Sequence, residues 1–129
     1  MELIEIVLEE KVMANLLLSR ITPCLKGYFY LKEGIKKIIK DPSLRFDIHR
    51  RLYRMLSHEF GEPQSLVERD IRHALDVAFK RKGIEMFEKI SHMHFSECKP
   101  SPREYLIVLA DAIRFNRGKP FLKGFEKKI

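Results

Sequence analysis

A chain of 129 residues carrying a formal net charge of +7 is long enough for one domain with a real core and too short for two comfortable ones. Hydrophobic residues make up 45% and charged residues 33%, no apolar run approaches the ~20 residues that span a bilayer, and the start Met1-Glu2-Leu3-Ile4-Glu5 is acidic where a signal peptide is basic. These features argue against a membrane or secreted protein and for a cytoplasmic domain, and the sequence pI near 9.5 favours a polyanionic partner, nucleic acid being the natural candidate.

The charge is unevenly spread. Residues 1–20 hold four acids against two bases, so the remaining 109 residues carry +9. Within that acidic start, Leu3, Ile6, Val7, Val12, Met13, Leu16 and Leu17 recur at mixed three and four spacing. The spacing predicts an amphipathic helix ending near Ser19, with Ile21-Thr22-Pro23 as its breaker. The apolar and acidic alternation of Leu3 to Leu8 leaves a short strand as the lesser alternative. A second helix is expected from about Gly27 to Lys40, with Leu31, Ile35, Ile38 and Ile39 inward. Its outer face carries Lys32, Lys36, Lys37 and Lys40, open to phosphate contact or to simple solvation.

Asp41-Pro42 supplies an N-cap and a first-turn proline. From Leu44 a helical stripe of Leu44, Ile48, Leu52, Met55, Leu56 and Phe60 is expected to be buried, with His49, Arg50, Arg51 and Arg54 largely away from it. Only Gly61-Glu62-Pro63 separates this run from the segment Gln64 to Arg81. Wound at 100° per residue, that segment puts Val67, Ile71, Ala74, Leu75 and Ala78 on one face and Ser65, Arg69, Arg72, Asp76 and Lys80 on the other. Two helices joined by a tight Gly-containing turn, the second bearing arginines outward, predict a helix-turn-helix that reads DNA. Lys82-Gly83 ends the pattern, and Ile84 to Ile90 forms a short helix. A loop with Pro100 and Pro102 leads to a last helix, Arg103 to Asn116, with Leu106, Leu109, Ala110 and Ile113 inward. The basic, aromatic tail beyond Gly118 is expected to be mobile unless it docks on a partner.

The remaining motifs weigh against catalysis. Cys24 and Cys98 lack C-x-x-C spacing, and His92, His94 and Cys98 match no common zinc pattern. With no glycine-rich phosphate loop, nucleophile elbow or paired carboxylates, the expectation is a non-enzyme with no cofactor and no metal.

Three blocks carry a family likeness: G-Y-F-Y-L-K-E at Gly27 to Glu33, V-E-R followed by I-R-H-A across Val67 to Ala74, and E-Y-L-I-V-L-A-D at Glu104 to Asp111. In that order, and in register from about Ile21 to Arg114, the chain resembles the C-terminal DNA-binding effector domain of the stage-zero sporulation master regulator. The resemblance implies an all-α, single-domain bundle of about six helices containing a helix-turn-helix. The expected organisation is an N-terminal helical segment over 1–20, the effector-like domain over 21–116 and a basic tail over 117–129. Only about twenty residues precede the resemblance, so the chain is expected to act without its own phosphoreceiver domain.

Carried over by position, the family's DNA-contacting helix falls on Ser65 to Phe79, which implies Ser65, Glu68, Arg69 and Arg72 as polar contacts. Arginine is suited to guanine O6 and N7, and glutamate to cytosine N4. Ser65-x-x-Glu68 is equally a capping-box spacing. His73 matches the family but lies nearer the helix flank, where packing or a phosphate contact is as open as base reading; Lys80 joins the DNA-facing set from the outward face. Leu66 and Asp70 stand where the family has arginine and alanine, lowering positive charge near the helix start and changing the expected DNA preference. Leu52-Tyr53-Arg54 stands where the family has L-Y-P, so the helices there are expected to run together.

The expected function is sequence-specific transcription regulation on double-stranded DNA. Further implied partners are RNA polymerase, through Ile84 to Ser91, a full-length sporulation regulator, and a second copy on tandem sites; no membrane is implied. The alternative is a protein-interaction module that modulates a full-length sporulation regulator and has lost specific DNA reading.

Overall fold

A computed structural model describes residues 3–95 and 99–115. The described residues form six α-helices and no strand: α1 (Leu3–Leu18), α2 (Lys26–Lys40), α3 (Tyr53–Phe60), α4 (Gln64–Lys80), α5 (Gly83–Ser91) and α6 (Pro102–Arg114). The all-α single domain expected from the sequence is what the chain adopts. The tail over 117–129, Asn116 and Cys98 lie outside the described residues.

Helix α1 stops before the expected breaker. Arg20 adopts the left-handed conformation with φ 69°, and the Ile21 N–H donates to the Leu16 carbonyl at 2.9 Å. This is a Schellman-type closure that uses up an orphan carbonyl of the helix end.

The central helix is α2, packed most extensively against α4 and α6 and also against α1. Its meeting with α4 is close because position 27 is glycine. A Cβ there would overlap the Asp70 carbonyl and crowd the Ala74 methyl. Tyr28, Leu31, Ile35 and Ile38 fill the core from this helix. At the far end, Phe87 of α5 packs against Phe95 and Tyr105, with ring centroids 5.4 and 4.7 Å apart.

The helical run expected from Leu44 to Phe60 is broken. Asp41 accepts from the Ser43 N–H at 3.1 Å and caps a 3-10 turn, Pro42–Phe46. Asp47, at φ −153°, then accepts from the Arg50 N–H and starts a π-helical turn, Ile48–Leu52, that runs straight into α3. A short polar side chain that accepts from an orphan N–H favours a new helical start; here Asp41 and Asp47 do so in turn. Leu44, Ile48, Leu52 and Leu56 are buried as expected, but Met55 and Phe60 are exposed. The 3-10 turn is pinned to α6 by a bidentate pair between Arg45 and Asp111, which holds the guanidinium above its ordinary pKa. Helices α3 and α4 are joined by Gly61, at φ 65°, Glu62 and Pro63.

Candidate nucleic-acid interface

Helix α4 divides sharply. Val67, Ile71, Ala74, Leu75 and Ala78 are buried, and Ser65, Arg69, Arg72, His73, Asp76 and Lys80 are exposed. At 100° per residue the exposed six fall within an arc of about 100°. The amphipathic spacing therefore places four of the expected contacts, Ser65, Arg69, Arg72 and Lys80, on one surface, with His73 at its edge.

Glu68 sits apart from that arc. Its carboxylate lies 3.4 Å from His49 Nδ1, and the Gln64 side-chain amide donates to the His49 carbonyl at 2.8 Å. The start of α4 is thus tied to the π-helical turn. No capping box forms at Ser65: the helix begins one residue earlier, at Gln64, with Pro63 at the N-cap position and no side-chain cap.

Asp70 stands off the exposed arc, and its charge bears on that arc through Arg69. It is 8% exposed and lines a groove beside Phe29 and Tyr30 of α2. One carboxylate oxygen is 3.6 Å from Arg69 Nε, and the other has no hydrogen-bond partner among the described residues. The backbone contact with Gly27 draws this side of α4 against α2 and carries Asp70 out of the reading arc. Leu66 is half-buried on the same side, lining a groove of about 270 Å³ with Phe29, Tyr30, Phe60 and Asp70.

Of the five lysines of α2, Lys26 is exposed and the other four are engaged by acids. Lys36 bonds Glu9 at 2.8 Å and lies 3.5 Å from Glu33, and Lys32 lies 3.7 Å from Glu9. Lys37 pairs with Glu59 and Lys40 with Glu5, both at 2.6 Å. The Lys36 hydrogen bond holds the Glu9 carboxyl below its ordinary range. Burial opposes the charge on Lys36, but Glu9 and Glu33 together hold it above the usual lysine range. Sequence reasoning placed these lysines outward without pairing them. The signal was present, since acids four apart on α1 face lysines four apart on α2.

Beside α4 a second cleft, about 440 Å³, is lined by Phe46, His49, Tyr53, Glu68, Arg72 and Arg103 among others. Burial pushes the Tyr53 hydroxyl up to about 12, with Glu68 adding to the shift and Arg72 opposing it. It is therefore a neutral phenol at physiological pH. Among the described residues no cluster of three or more His, Cys, Asp or Glu could hold a metal, and no helix is long and apolar enough to cross a membrane.

The family model for the C-terminal region of the sporulation initiation factor Spo0A matches residues 12–113. The chain belongs to this family. The Spo0A C-terminal match takes in the outer half of α1 and all of α2 to α5, and it ends within α6. It contains every residue of the α4 arc. Spo0A C-terminal domains are DNA-binding regulatory domains of sporulation initiation rather than enzymes.

Proposed function

We propose that this Spo0A-type domain is a sequence-specific transcription regulator, in which α3, the Gly61-Glu62-Pro63 turn and α4 act as a helix-turn-helix with α4 in the major groove of double-stranded DNA. The observation that carries the reading is the α4 arc, which sets two arginines, a lysine, a histidine and a serine on a side that the core does not use. Arg69 and Arg72 read guanines by paired hydrogen bonds. Ser65, His73 and Lys80 contact phosphate oxygens and fix the register. Glu68 acts through His49, holding the start of α4 against the neighbouring turn. No cofactor takes part.

Selection of bound duplexes from a random pool, repeated with Arg69→Ala and Arg72→Ala, tests this. Each substitution removes one bidentate pair and is expected to relax discrimination at one base position by about 1–3 kcal/mol, roughly 5- to 150-fold. Both side chains are exposed, so the fold is retained. An unchanged selected motif, or no preferred duplex for the parent chain, defeats the assignment.

The groove at Leu66, with Phe29 44% and Phe60 37% exposed beside it, supports a second reading in which the domain modulates a full-length sporulation regulator by protein contact. Co-purification with a full-length homologue in the absence of DNA separates the two. The exposed Glu85 and Lys89 of α5 would serve a contact with RNA polymerase under either.

A further inference from the structure

Helix α1 has two apolar faces where a surface helix normally has one. The inner face, with Val12 and Leu16 fully buried and Leu8 packed against them, belongs to the core. On the opposite side Leu3, Val7, Ala14 and Leu17 follow the four-and-three spacing of a helix-pairing seam, flanked by Ile4 and Ile6. Six of the eight exposed positions of α1 are apolar, with Leu3 and Ile4 74% and 79% exposed. An apolar strip of this continuity facing water calls for a partner.

The charges on that face say which partner. Glu10 interrupts the seam and Lys11 stands beside it, and neither has an ion-pair partner among the described residues. The acids on the inner flank, Glu5 and Glu9, are both taken up by α2 lysines.

We propose that α1 is a self-association seam, pairing antiparallel with α1 of a second copy about a two-fold axis at the Glu10 to Lys11 step. In that arrangement Glu10 of each copy meets Lys11 of the other, twice by symmetry. Val7 falls opposite Ala14 and Ile4 opposite Leu17. A parallel pair would set Glu10 against Glu10, a like-charge contact that the antiparallel pair avoids. The interface is isologous and closes at two copies. A helix of 16 residues is about 24 Å long, so the buried area falls at the low end for specific complexes and the affinity in the micromolar range. Residues 3–11, which supply most of the seam, lie outside the part of the chain that matches the Spo0A family. The seam shares no residue with the α4 arc.

Sedimentation equilibrium of the whole chain without DNA, between about 1 and 200 µM, tests the pairing apart from DNA reading, so either can fail while the other stands. A concentration-dependent monomer–dimer equilibrium is expected. Val7→Glu or Leu17→Glu should weaken it at least about tenfold, with an unchanged circular dichroism melt at a concentration where the parent chain is monomeric, because both positions are exposed. Glu10→Lys should weaken it, and Glu10→Lys combined with Lys11→Glu should restore it. A monomer throughout the range overturns the proposal and assigns the strip to a different protein. A dimer indifferent to the Val7 and Leu17 substitutions overturns it as well. A dimer weakened by them but not restored by the double exchange overturns the antiparallel pairing.

Discussion

Asp70 illustrates how one side chain changes meaning with its surroundings. In the sequence it is an acid among arginines, five residues from the family's serine-led start; in the fold it is a buried carboxylate beside α2, with one oxygen unpartnered among the described residues. The other oxygen has only the exposed Arg69 guanidinium at 3.6 Å. Desolvation of a carboxylate is costly, and an exposed partner returns little. Replacing it by the better helix former should therefore not destabilise the chain. Asp70→Ala is expected to raise the free energy of unfolding by about 1 kcal/mol, read from urea titration; a loss of that size would mean that Asp70 anchors the α2–α4 contact.

Individual helices owe their limits to a few capping groups. The strongest is at α6, where Ser101 accepts from the Glu104 N–H at 3.1 Å and Glu104 accepts from the Ser101 N–H at 3.0 Å. Ser101→Ala is expected to cost about 1 kcal/mol, measured as a shift in the urea midpoint at constant slope. The docking of α1 on α2 rests on the buried Val12 and Leu16, with ion pairs added at its edge. Because the folded Glu9 pKa is depressed from 4.5, chiefly by the Lys36 hydrogen bond, its contribution is present above that value and lost as pH falls through the folded pKa. The raised Lys36 pKa sets the opposite limit, where the contribution is lost as pH rises through it. Stability followed by circular dichroism should therefore drop below about pH 4.5, and Glu9→Gln should flatten that part of the profile. An identical profile for the variant would show that the pair adds nothing to docking.

Across the whole molecule, net charge overstates the surface available to DNA. Lys32, Lys36, Lys37 and Lys40 of α2 are engaged by α1, α3 and α2's own Glu33, whereas the basic side chains of α4 project outward. The salt dependence of DNA binding should report this difference. Lys80→Ala is expected to reduce the slope of log K against log salt by about 0.9, the value for one phosphate contact, and Lys36→Ala to leave it unchanged. Equal losses for the two would place α2 on the DNA.

Apolar periodicity by itself determined the outward face of α4 and most of the helices, though not the break between Leu44 and Phe60, because burying a stripe every three or four residues is a local requirement that any helical packing must meet. The buried apolar residues of α4 follow it, with Asp70 the polar exception. The all-α class and the family were equally legible, the first in the periodicity and the second in three short blocks. Tertiary structure alone decided what depends on neighbours far away in the chain. It placed Glu68 against His49 and Asp70 beside α2, and it engaged four of the α2 lysines with acids of α1 and α3. It also left the outer side of α1 uncovered. A helical wheel says which way a side chain points; only the packed neighbours say what waits there.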